Sequence, residues 1–363
     1  MGGRDLAIDA VRGICIVSMV AAHLAKGSRF DDAMHPLEWV DGASGFVLLS
    51  GLLIGLVQHS TMDRQGERAG YLKLAKRVRL IYLGHLLIAA AALAVGTLDA
   101  DRTAGMPSVQ GEGGWGIAVL RALTLQINPA YASVLSLYVV VMVASVPLLW
   151  LLRRRQWALG GGYVLAIYVT SLIWSVWTQL PQRAGEPGGW SYGTWFGLFA
   201  VGVGIGWAWR HPTVQRAVSS RAGLALGVAA AAGGTVTAVV LSQHDVGIRV
   251  LDKEVLGPGR IALAVAVYYV VWQAVGWVTS HWATVVRPLS LLGTRSLDSY
   301  MILSVLVIVV PSVSAHEQAS RTGTVVAGSV VLLCLLWAHL RGRRPRGVVA
   351  DMPGRSARLR SAR

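Results

Sequence analysis

The chain has 363 residues, 54% of them hydrophobic and only 14% charged, with a formal net charge of +15. A soluble domain carries about 25% charged residues, so this composition excludes a soluble globule and implies a chain that lives largely in lipid. The positive excess would suit a nucleic-acid binder, but it is concentrated in short loops and in a tail, Arg341 to Arg363, with eight arginines. Topology and attraction to anionic lipid explain it there, at about 1 kcal/mol per residue near the surface. Nucleic acid is therefore not expected as a partner.

Apolar stretches near the length that crosses a bilayer recur along the chain, and about ten spans are predicted. They are centred near Val17, Leu49, Leu87, Val140, Tyr168, Val201, Ala230, Val267, Val305 and Val331. The expected fold is all-α: a polytopic membrane protein whose helices surround a polar central cavity. Residues 1–340 form its transmembrane domain and residues 341–363 a basic, disordered cytoplasmic tail. Lys and Arg near span ends stay on the cytoplasmic side. Arg64, Arg68, Lys73, Lys76, Arg77 and Arg79, then Arg153, Arg154 and Arg155, then Arg210, Arg216 and Arg221 fall on one side. The opposite loops hold the sparser Lys26, Arg29, Arg102, Arg121, Arg183, Arg249, Lys253, Arg260 and Arg321. Both termini are thus expected in the cytoplasm, with an even number of passes through the plasma (inner) membrane.

The first span carries Asp9, Arg12 and His23 in an otherwise apolar run. Arg12 and His23 lie within about 20° of one another on the helix and about 16 Å apart along it. Ionisable groups at membrane depth cost about 2.5 kcal/mol or more each, so they line polar cavities or pair with one another. Asp5, Asp9 and Arg12 also interrupt what a secretory signal would need, so this segment is expected to remain in the mature protein. Cys15 and Cys334 both fall inside spans, which argues against a disulfide framework and a metal cluster.

The second span is rich in small residues. Gly51 and Gly55 form a small-xxx-small pattern that lets helix backbones approach closely, and Ser50 can bond across the contact or line a site. In the third span Arg79, Tyr82 and His85 recur at threes along one side of a helix. Two readings fit them, a polar site or a snorkelling arginine above a hydrogen-bonded core histidine. Before the eighth span, Asp252, Lys253, Gly257, Pro258 and Arg260 make a turn whose clustered charges suit either a polar acceptor or solvent. Trp39, Trp115, Trp190 and Trp195 are expected at membrane interfaces.

At these residues the chain resembles a known family. Asp9-x-x-Arg12-Gly13, with ten residues between Arg12 and His23, is similar to the Arg-x10-His signature of integral membrane acyltransferases that modify extracytoplasmic glycans. Further segments resemble the OpgC-type branch, associated with succinylation of periplasmic glucans. They are Gly45 to Gly51, Arg79-x-x-Tyr82-x-x-His85, Leu135 to Tyr138 with Pro147, Trp195-x-x-Leu198-Phe199-x-x-Gly202, and Asp252-Lys253-x-x-Leu256-Gly257-Pro258-x-Arg260. The resemblance runs from Asp9 to about Leu297. It departs at Ser44, where an acidic residue is expected, at Phe196, where glutamine is common, and near Gly293 to Leu297, where histidines are expected.

The resemblance implies an acyltransferase that takes a succinyl or acetyl group from a coenzyme A thioester, succinyl-CoA or acetyl-CoA, with no tightly bound cofactor and no metal. Its acceptor is a sugar hydroxyl of an extracytoplasmic glycan or glycolipid. His23 is the expected general base, since imidazole titrates near working pH. Arg12, beside Asp9, suits acidic or phosphate groups of the donor. Arg79 or Tyr138 is the candidate donor to the developing oxyanion. Tyr82, His85, Ser50, Asp252, Lys253 and Arg260 complete the expected substrate-binding set. A transporter or flippase and a catalytically silent scaffold are the competing classes, although no duplicated halves are visible.

Overall fold

The computed structural model describes residues 5–98, 106–129, 133–179, 190–244, 250–253, 255–309 and 315–341. Arg102, Arg183, Arg249 and the tail beyond Arg341, all used above to orient the chain, lie outside them. Among the described residues every regular element is a helix, and no strand forms. The fold is all-α and polytopic.

The helices are α1 (Leu6–Leu24), α2 (Arg29–Met34), α3 (Gly42–Gln65), α4 (Glu67–Leu98), α5 (Trp115–Leu123), α6 (Val134–Arg153), α7 (Trp157–Ile173) and α8 (Tyr192–Ala208). They continue with α9 (Pro212–Ser219), α10 (Arg221–Leu241), α11 (Pro258–His281), α12 (Ala283–Thr294), α13 (Ser296–Val309), α14 (Ala315–Gln318) and α15 (Arg321–Leu340). Each predicted span centre falls on one of them. Seven are long and apolar enough to cross a membrane, or eight if the bent pair α12–α13 counts as one span.

The difference from about ten has local causes. Helices α7 and α8 have 17 residues each, about 25 Å of rise, and glycines interrupt their apolar runs. Helices α12 and α13 meet at a 71° bend around Arg295.

Helix α1 is the axis of the molecule. Asp5 caps it by accepting from the amides of Ala7 and Ile8, and α1 packs against α3, α11, α12, α13 and α15. Its contact with α12 is backbone to backbone: a methyl on Gly13 would strike the Leu289 carbonyl, and one on Gly293 the Asp9 carbonyl.

The α3–α8 contact follows the same rule. Gly51 and Gly55 lie on the carbonyls of Phe199 and Val203, while Gly202 and Gly206 lie on those of Leu48 and Leu52. The small-residue run of the second span is thus a packing surface whose partner is a matching pair of glycines. Trp195 corrects an expectation. It is fully buried, with its ring against Trp190 at 4.2 Å, because α8 belongs to the core rather than to the rim. Helix α10, by contrast, is mostly exposed and meets the rest chiefly through α11.

Candidate functional site

One end of α1 opens on a cavity of about 580 Å³, walled by α1, α3, α4 and the α12–α13 bend. Asp5, Asp9 and Arg12 reach it from α1, Ser50 and Gln58 from α3, Lys73, Lys76 and Arg77 from α4, and Arg295, Ser296 and Asp298 from the bend. Five cations face three carboxylates. A break in a helix at such a place is what lets backbone and side-chain polar groups face a cavity inside a membrane.

Arg12 is buried at the inner edge of this wall. Its Nη2 donates to Ser296 Oγ at 2.5 Å, and its guanidinium lies 5.6 Å from the Phe46 ring centre. The Phe46 carbonyl in turn accepts from the Tyr138 hydroxyl at 2.9 Å.

Towards the other end of α1 a second polar cluster surrounds Asp41, the cap of α3. Its Oδ1 accepts from the Ser44 amide and hydroxyl at 2.8 and 2.7 Å. Its Oδ2 faces Lys253 Nζ at 3.2 Å and Arg260 Nη2 at 3.3 Å. The Tyr268 hydroxyl donates to its carbonyl at 2.8 Å. Burial would push the Asp41 carboxyl up, yet Lys253, Arg260 and the two Ser44 donors together outweigh it and hold the carboxyl below its usual range. His23 is half-buried in the field of Lys253, Asp41, Asp31 and His35. Between the two clusters Cys15 and Tyr268 continue the line of polar groups.

The sequence-derived residues divide accordingly. Asp9, Arg12 and Ser50 line the cavity. His23, Lys253 and Arg260 gather at the Asp41 cluster, with Arg260 also donating to the Leu251 carbonyl at 3.4 Å. Tyr138 is buried beside Ser50, in the field of Arg12 and Arg77. Asp252 turns inward on its own loop, accepting from the Val255 amide at 2.6 Å.

Arg79, Tyr82 and His85 are not brought to either cluster. Arg79 is exposed and absent from the cavity wall. Arg77 stands there instead, because residues two apart on a helix point about 200° apart. The Tyr82 hydroxyl donates to the Leu123 carbonyl at 2.7 Å. His85 sits buried against the Ala122 carbonyl. Both therefore hold α5 against α4.

Asp41, Lys73, Lys76, Arg77 and Ser296 were missed by sequence reasoning. An acidic residue before a small-residue helix start was the available signal for Asp41, and helical phase was the signal for Arg77. No local signal announces Ser296, 284 positions from Arg12.

Comparison with curated proteins gives no match. A family model described as OpgC protein matches residues 4–344, nearly the whole chain and both clusters. The chain belongs to the OpgC protein family.

Proposed function

We propose that the protein is a membrane acyltransferase that moves a succinyl or acetyl group from a coenzyme A thioester to a sugar hydroxyl of an extracytoplasmic glycan or glycolipid. The observation that carries this reading is that one helix, α1, bears Arg12 at a cation-rich cavity and His23 at a second polar cluster. Membership of a family of glucan-modifying membrane proteins supports it.

In this reading the basic loops put the cavity mouth in the cytoplasm. Phosphates of the donor meet Arg12, Lys73, Lys76 and Arg77, guanidinium being suited to bind them in bidentate fashion. The donor's flexible arm then covers the rise of about 16 Å to His23, so the nucleotide need not cross the membrane. His23 takes the proton of the acceptor hydroxyl as its oxygen attacks the thioester carbonyl. The new C–O bond forms, the C–S bond breaks, and the thiolate leaves with that proton. Of the two oxyanion candidates Tyr138 is interior and Arg79 exposed, and Tyr138 would serve by exchanging its bond to the Phe46 carbonyl for one to the oxyanion. Lys253 and Arg260 border the acceptor.

The test is reconstitution of the full chain in liposomes with succinyl-CoA or acetyl-CoA on one side and glycan on the other, read by the mass added to the glycan. His23→Ala should lower product formation by about 100-fold or more with unchanged folding and yield. Unchanged transfer by that variant removes His23 as the base. The α12–α13 break at the cavity also suits a transporter, which would move glycan or donor across the bilayer without adding mass.

A further inference from the structure

Beside the Arg12–His23 axis, α1 carries a group that the reaction above leaves idle. Ser18 is buried and lies between those two residues along the helix. Its Oγ is 2.8 Å from His35 Nε2. His35 Nδ1 is 2.8 Å from Asp31 Oδ1 and 3.1 Å from the Asp31 carbonyl. Both groups facing Nδ1 are acceptors, so Nδ1 carries the proton and Nε2 accepts from the Ser18 hydroxyl. Hydroxyl, imidazole and carboxylate stand in the order that activates a serine.

Local sequence builds the arrangement. Ser28 caps α2 through the Asp31 amide, Asp31 and His35 share a face as an i,i+4 pair, and α2 packs on α1.

Acyl transfer also needs donors for a developing oxyanion. The first amide of α3, Gly42, is taken by Ser18 Oγ itself, to which it donates at 3.1 Å, so the donor left for the oxyanion is the one after it. The next amide, Ala43, has no bonded acceptor among the described residues. Both belong to the electropositive end of a 24-residue helix. A side chain at position 42 would collide with Ser18, so glycine is what allows these amides to come so close.

We infer that Ser18 is the nucleophile of a two-step transfer and carries the acyl group as an ester. The inference rests on the acyl-transfer reading above. In the first step Ser18 Oγ attacks the thioester carbonyl, its proton passes to His35 Nε2, the C–S bond breaks, and His35 returns the proton to the departing thiolate. In the second step the acceptor hydroxyl attacks the Ser18 ester and gives its proton to His35 Nε2, the Oγ–C bond breaks, and His35 returns that proton to the serine oxygen. Asp31 holds the His35 tautomer throughout. Ser18 lies about 9 Å from Arg12 and about 7.5 Å from His23 along the helix. At about 100° per residue Ser18 faces about 120° away from Arg12 and about 140° away from His23, towards α2 and the start of α3, so the ester forms on the face of α1 next to the Arg12–His23 wall.

The experiment incubates the purified full chain with isotopically labelled succinyl-CoA or acetyl-CoA, without glycan. It reads the mass of the peptide containing Ser18 and, in a parallel reaction of unlabelled thioester with labelled free coenzyme A, the exchange of label into the thioester, then adds glycan to the first reaction. The inference expects one acyl group on Ser18, exchange without acceptor, and release of the label to glycan. Ser18→Ala should lose all three. Ser18→Cys should hold the acyl group as a thioester cleaved by neutral hydroxylamine, which keeps the test valid if the alanine variant fails to fold. Asp31→Asn should slow acylation by about 100-fold or more. Glycan acylation at the wild-type rate by Ser18→Ala overturns the inference, as does wild-type turnover with neither labelled Ser18 nor exchange; either leaves direct transfer assisted by His23. Wild-type protein that acylates neither Ser18 nor glycan removes the acyl-transfer reading itself.

Discussion

Arg260, in the first turn of α11, meets Asp41, the cap of α3, with Nη2 and Oδ2 3.3 Å apart across 219 positions of sequence. Both are buried, whereas the second cation on Asp41, Lys253, is 62% exposed. Removing one partner of a buried pair strands the other charge, at a cost of about 3–5 kcal/mol, while an exposed pair contributes about 0–1 kcal/mol. Arg260→Met and Asp41→Asn should therefore each lower stability strongly, and Lys253→Met barely. Denaturant or thermal unfolding in one detergent measures all three. Equal losses for Arg260 and Lys253 would mean that water reaches the pair.

The same carboxylate sets a pH dependence whose sign is fixed. The Asp41 carboxyl is held below its ordinary value of 3.8 in the folded chain, so the unfolded chain takes up its proton first as pH falls. Its contribution is complete above that ordinary value and disappears as pH falls through the lower folded value. The stability gap between wild type and Asp41→Asn should be flat in neutral solution and close only under acid below 3.8. A gap that closes near neutrality would point to a histidine, not to Asp41.

Helix packing gives a sharper contrast. A methyl on Gly51 lands on the Phe199 carbonyl, but one on Gly204, on the same partner helix α8, meets nothing within 4 Å. Gly51→Ala should cost about 1–3 kcal/mol from overpacking. Gly204→Ala should be neutral, or stabilise by about 0.5–1 kcal/mol through lower backbone entropy in the unfolded chain. Unfolding of the two variants side by side decides it, and equal effects would rule out the close α3–α8 approach.

What the sequence disclosed follows from periodicity. Apolar runs placed the helices, and glycines four apart marked a packing face, because both are local properties of a single helix. The partner face, Gly202 and Gly206, is equally legible once α3 has been read. Arg77 is less legible, because the spacing at threes of Arg79, Tyr82 and His85 marks the side of α4 that holds α5, and Arg79 points about 200° from Arg77. Asp41 and Ser296 were hidden for a different reason. Their partners, Arg260 and Arg12, lie hundreds of positions away, and only the folded bundle brings them together. The bend at Arg295 is not legible because the apolar run of the ninth span centres near Val305, and α12, short and interrupted by Arg287 and Pro288, predicts no span of its own.

If Tyr82 and His85 serve α5 rather than the substrate, Tyr82→Phe should lose the bond to the Leu123 carbonyl, worth about 0.5–1.5 kcal/mol of stability. Its kcat/KM for acyl transfer should stay within about 2-fold of wild type, since 1.4 kcal/mol in a transition state is already about tenfold. A larger kinetic loss without a change in unfolding would return Tyr82 to the site.

Arg12 provides the test of the cavity. It is the cation there whose position is fixed from two sides, by Ser296 Oγ and by the Phe46 ring, so its fork is aimed before a ligand arrives. Lysine keeps the charge but loses the planar fork and the stacking. Arg12→Lys should therefore raise KM for a coenzyme A thioester about 10- to 100-fold, the equivalent of one charge-assisted hydrogen bond of about 1.5–3 kcal/mol. It should scarcely change kcat. The same acyl group carried on pantetheine, which lacks the phosphates, should be used equally by both proteins. Raising the salt concentration should weaken wild-type binding more than that of the variant, since screening acts on the phosphate contact that the variant has already weakened. A loss in kcat, or an equal loss with the pantetheine donor, would place Arg12 at the reacting carbonyl instead and move the chemistry from the His23 end of α1 towards the cavity.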